Sequence, residues 1–157
     1  METLKMRRLY GMIWLAAAVT AIGTACGAFR VDVVGNAMAP TLKDGDSAIA
    51  TRDVATLQRG DIVGFKSPND ESKSFVQRIV GLPGDSIEVR EGQVILNGNP
   101  LQEPYVAAEN RSNDSWGPAT VAPGTYFVMG DNRRDSSDSR SWGSVRREAI
   151  WAKVFNP

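Results

Sequence analysis

The chain has 157 residues, enough for one modest domain and a short extra element. Its 18 basic and 18 acidic residues cancel, so no basic face argues for a nucleic-acid partner. Histidine is absent and Cys26 is the single cysteine, which excludes His-based triads, intramolecular disulfides and Cys-based metal clusters. Hydrolytic chemistry would have to come from Ser, Thr, Lys, Asp or Glu.

Residues 1–8 hold Lys5, Arg7 and Arg8, and Leu9 to Phe29 then run for 21 residues without a charge. That length matches a helix crossing roughly 30 Å of hydrocarbon. The basic cluster before it predicts a cytoplasmic N-terminus and an exported body. A cleaved signal peptide and a lipoprotein signal at Cys26 are competing readings. Length and flanking charge favour an uncleaved single-pass anchor over residues 9–29.

From residue 30 to 157 the pattern is β. RVDVV, DSAIATRDV, DIVGFK, SFVQRIVG, SIEVR, QVILN, TYFVMG and AIWAKVF are short runs rich in β-branched and aromatic residues. KDGD, RGD, PND, LPGD, REGQ and NGNP separate them as turns. SIEVR-EG-QVILN reads as a hairpin. Residues 102–124 are polar and rich in Pro and Gly, and predict a loop insertion anchored by Tyr105 and Trp116. An all-β domain on a membrane tether is the expected architecture.

Three segments carry candidate site residues. In GNAMAPTLKDGD (35–46) a strand meets a tight turn, with Met38 and Leu42 expected to pack inward and Ala37 carrying no chemistry. In SFVQRIVGLPGD (74–85) alternation puts Phe75, Gln77 and Ile79 on one face, an odd place for an amide without a partner. In GDNRRDSSDSRSWG (130–143) Asp138 and Arg140 are spaced to pair, and Asp131, Asn132 and the serines can satisfy turn backbone. Taken singly, each reads as a turn.

In this order the three segments resemble the boxes of the bacterial type I signal peptidases. The likeness covers about residues 1–155. It implies a mostly β, coiled antiparallel-sheet domain of the kind shared with LexA-type self-cleaving repressors, N-terminal transmembrane helix included. It also implies an extracytoplasmic domain on the bacterial cytoplasmic membrane, in contact with lipid, with no cofactor and no metal. Its partners would be signal peptides of exported preproteins.

The family's chemistry is a Ser/Lys dyad, in which a neutral lysine takes the proton of an attacking serine. Carried over by position, the nucleophile falls on Ala37 and the general base on Gln77, so both reacting groups are replaced. Ser136 matches the serine that orients the base, and Asp138 with Arg140 matches a structural ion pair. Pro40 and Asp131 belong to the same frame. Met38, Phe75 and Ile79 are the expected lining of the peptide groove, which takes small side chains and an added strand.

The resemblance leaves three readings open. One is a working signal peptidase disabled at its active site by engineering. Another is a natural pseudopeptidase that binds signal peptides, as a chaperone or assembly factor. The third is a plain β domain without a groove.

Overall fold

The structure is a computed structural model and describes residues 27–155. Seven of the eight expected runs contain a strand, and the first, RVDVV, overlaps one that begins two residues earlier and ends at Asp32. In chain order these are β1 (Ala28–Asp32), β2 (Ser47–Thr51), β3 (Ile62–Lys66), β4 (Ser74–Gly81), β5 (Ser86–Arg90) and β6 (Gln93–Leu96), followed by the short β7 (Asn99–Pro100). Then come β8 (Trp116–Thr120), β9 (Thr125–Met129), the four-residue helix α1 (Ser139–Trp142), β10 (Val145–Arg146) and β11 (Ile150–Phe155).

The expected anchor lies outside the described residues up to position 26. Its last two members, Ala28 and Phe29, belong instead to β1, paired with Thr51 and Ala50 of β2. Among the described residues no helix is long and apolar enough to cross a membrane.

The strands form two antiparallel sheets, one ordered β1-β2-β11-β3-β4-β9-β10 and the other β7-β6-β5-β8. The last strand enters the middle of the large sheet, pairing with β2 on one side and β3 on the other. Three apolar clusters fill the interior. Val33, Met38, Leu42, Ala50 and Val154 pack on one face of the large sheet. Val63, Phe65, Ile79 and Val128 pack with Phe75 on the other face. Val80, Ile87, Val94 and Phe127 join the two sheets. Strand β4 feeds all three clusters, so its alternating side chains are buried on both faces.

Residues 102–124 differ from the expected loop. Trp116–Thr120 forms β8 and pairs with β5, because Trp116 seats against Phe127 with ring centroids 4.8 Å apart. The β5–β6 turn places Glu91 and Gly92 at φ 47° and 79°, the geometry of a two-residue hairpin turn with both central residues left-handed. A Cβ on Gly92 would collide with the Ser112 carbonyl, so the 111–115 segment lies directly over this turn.

Candidate active site

Ala37 stands in the turn that follows β1, held from both ends. Met38, only 2% exposed, and Leu42, fully buried, anchor the turn in the apolar core. Asn132 supports its other side, donating its backbone N–H to the Ala37 carbonyl at 2.9 Å and its side-chain amide to the Asn36 carbonyl at 3.2 Å. Pro40 is exposed in the same turn. Asn110, from the segment expected to be a loop, donates to the Ala39 carbonyl at 2.8 Å.

Gln77 lies on β4, 1% exposed. Its Nε2 donates to the Ser137 carbonyl at 2.7 Å and to Ser136 Oγ at 3.3 Å. The Ser137 carbonyl accepts only, so it fixes the amide nitrogen on that side. Oε1 is then left buried without a hydrogen-bond partner among the described residues.

Gly130 closes the constellation. A Cβ there would overlap both the Ala37 carbonyl oxygen and Ser136 Oγ. Two of the residues the resemblance singles out, Ala37 and Ser136, therefore meet around the missing side chain of Gly130, and the third, Gln77, joins them through its bond to Ser136 Oγ.

A frame of buried charges surrounds them. Asp131 does more than satisfy turn backbone. Fully buried, it receives Nε and Nη2 of Arg78 at 2.8 and 2.7 Å and the Thr41 hydroxyl at 2.5 Å. The bidentate pair ties β4 to the loop after β9, and the Thr41 hydroxyl adds the turn after Ala37. Tyr105 covers the Arg78 guanidinium at 4.1 Å and donates its hydroxyl to Glu103 at 2.9 Å. Burial pushes the Tyr105 phenol far up, with the Glu103 charge adding to it, so it stays protonated. The expected Asp138–Arg140 pair is present, with Nε to Oδ1 and Nη2 to Oδ2 both at 2.8 Å. Burial alone would lower the Arg140 pKa, but the Asp138 and Asp114 carboxylates outweigh it and raise it.

Two clefts flank the site. A cavity of about 170 Å³ beside Ala37 is walled by Val31, Met38, Phe75, Val76 and Trp151. Ile79, expected in the groove lining, instead lies fully buried beside Phe65 and Val128, because the strand turns that face into the core. A larger cavity of about 720 Å³ opens beside Ser136 and is lined by four arginines. Sequence reasoning passed over that second cleft, although the Arg133-Arg134 pair was its visible signal.

Among the described residues no lysine side chain hydrogen-bonds Ala37, Gln77 or Ser136. Lys73 Nζ pairs with Asp70 at 3.2 Å in an exposed turn, and Lys153 Nζ pairs with Asp61 at 2.8 Å. Lys66 lines a separate cavity with Ser67 and Arg146.

A profile described as signal peptidase, peptidase S26, matches residues 6–157. The chain belongs to the peptidase S26 signal peptidase family. It is 38% identical to a signal peptidase I of Bacillus amyloliquefaciens over 120 residues, 69% of this chain and 63% of that protein. It is 36% identical over 155 residues to a probable signal peptidase I-2 of Synechocystis, covering 92% of this chain and 70% of the relative. The crystal structure of a signal peptidase I from Enterococcus faecalis matches with a TM-score of 0.54 and 32% identity, over 64% of this chain and 97% of that one. The S26 membership and the mostly β fold of that neighbour agree with the architecture described above.

Proposed function

We propose that this S26 family member binds the signal peptides of exported preproteins beside Ala37 and does not cleave them. One observation carries the reading. The buried position assigned to the base is filled by an amide, which donates to Ser136 and Ser137 and has no titrating proton to accept or return. Ala37 adds no nucleophilic atom, and a dyad works only at hydrogen-bond distance.

The peptide-holding features remain. The cleft of about 170 Å³ walled by Met38, Phe75 and Val76 suits small side chains, and β4 runs along it. By the same reading the domain stands on the outer face of the cytoplasmic membrane, tethered through the uncharged stretch that precedes β1, with its N-terminus inside and close to lipid. A chaperone or assembly role fits such a binder better than a protease role.

Fluorescence anisotropy with a labelled signal peptide ending in A-x-A tests this. Saturable binding is expected, with competition by unlabelled A-x-A peptide and at least about ten-fold weaker competition when Leu replaces both alanines. Equal competition by the two peptides would contradict binding in the small cleft.

A further inference from the structure

The arginine cleft beside Ser136 has no part in the reading above. Its lining is polar, with Trp116 as its single aromatic wall, and its volume of about 720 Å³ is that of a site for a sizeable ligand. Of its four arginines, two are committed to the frame. Arg133 is buried, with both terminal nitrogens on Glu103 at 3.0 and 2.6 Å and Nε on the Gly130 carbonyl. Arg140 is held by Asp138 and, through Nη1, by Asp114.

Arg111 and Arg134 are different. Both are exposed on the cleft wall, and neither has a carboxylate partner among the described residues. The one side-chain bond of Arg134 is a long one, to the Glu109 carbonyl at 3.4 Å. The lining of the cleft holds four arginines and one carboxylate, Asp114, while Glu103 and Asp138 pair with Arg133 and Arg140 from outside it. The two guanidiniums left without a carboxylate partner among the described residues are those of Arg111 and Arg134. The exposed Asp135 and Glu109 also lie outside the lining.

The position of the cleft narrows what could occupy it. Ser136 lines it, and the same Oγ meets Gln77 and stands, together with the Ala37 carbonyl oxygen, against the place a Gly130 Cβ would take. The small apolar cleft opens at Ala37. A polypeptide laid through the small cleft and across Ala37 would run on toward the arginines.

We propose that the Arg111–Arg134 wall beside Ser136 binds the segment directly downstream of the signal peptide and selects acidic residues in it. This rests on the peptide-binding reading. Two partly exposed guanidiniums facing carboxylates provide a modest preference, roughly three- to ten-fold in affinity. The bidentate geometry of arginine favours carboxylate over other polar groups. The bound protein is thereby recognised on both sides of the position where its relatives would be cut.

The full chain in detergent micelles is titrated with three labelled A-x-A signal peptides that differ only in two downstream residues: Asp-Glu, Asn-Gln or Lys-Arg. The acidic peptide is expected to bind about five-fold tighter than the amide one at about 0.05 M salt. The gap should close near 1 M, where the screening length falls to about 3 Å. Arg111→Glu/Arg134→Glu should invert the order in favour of Lys-Arg and leave the amide peptide within about two-fold. Arg111→Gln/Arg134→Gln should abolish the preference, and thermal melts of both variants should match the parent.

Equal affinity for the three peptides would overturn the proposal while the peptide-binding reading stands. Binding of none would overturn both. A preference that survives the two arginine variants would place its origin elsewhere. If Arg111 and Arg134 instead govern binding to phosphatidylglycerol vesicles without any peptide preference, the wall serves lipid phosphate and the proposal falls.

Discussion

Arg78 and Gln77 are neighbours on one strand, and their surroundings differ. Arg78 has a bond on each guanidinium nitrogen: Nε and Nη2 on Asp131, Nη1 on the Gly60 carbonyl at 2.8 Å, with the face of the group under Tyr105. Gln77 has one good bond, one long one, and a buried oxygen with no partner among the described residues. The frame is fully paired, whereas the residue at the centre of the site is accommodated by it. A side chain that left no acceptor stranded would suit the position at least as well, so the fold does not depend on glutamine there.

The contrast can be broken most sharply at the frame. Arg78→Ala would strand the Asp131 carboxylate at zero exposure, so a loss of about 3–5 kcal/mol is expected in urea unfolding. Gly130→Ala should follow, at about 1–3 kcal/mol, because its methyl group must displace the Ala37 carbonyl or Ser136. It should also weaken A-x-A peptide binding, through the shift of the Ala37 turn.

Next comes the LPGD turn. Burial would raise the Asp85 carboxyl, yet hydrogen bonds from Asn97, Arg59 and the Leu82 amide outweigh it and hold the carboxyl below its usual value of 3.8. A depressed folded pKa contributes stability that is present above the unfolded value and lost as pH falls through the folded one. Asp85→Asn should therefore cost up to about 1 kcal/mol at neutral pH. The difference from the parent should vanish in an acid titration below pH 3.8.

The smallest effect is expected beside Arg78 itself. Gln77→Leu loses the two Nε2 bonds but also removes the stranded Oε1. It should shift stability by no more than about 1 kcal/mol in the same urea experiment. A cost near that of Arg78→Ala would show that glutamine belongs to the frame after all.

Much of this was legible in the sequence for definite reasons. Strands with alternating apolar residues between Gly, Pro and Asp turns announce themselves locally, and so does the Asp138–Arg140 pair, two residues apart. The turn after β1 needed Met38 and Leu42 inside, and the residue pattern said so. Other features depend on partners remote in the chain. Trp116 makes its segment a strand only because Phe127 and β5 are waiting for it, in a stretch whose composition reads as loop. Asp131 reads as a turn residue until Arg78, 53 positions away, is seen to claim it. Ile79 shares a face with Gln77 by alternation, but only the tertiary packing shows that face turning into the core at Ile79.

The claim that this scaffold holds signal peptides without cutting them is tested most directly by cleavage. A preprotein with an A-x-A site is incubated with the full chain, and with its Ala37→Ser/Gln77→Lys version as the positive arm, and the products are read by mass. The chain as it stands is expected to leave the preprotein at full length, with shortened product only in the restored version. A product cut after the A-x-A site by the unaltered chain would contradict it.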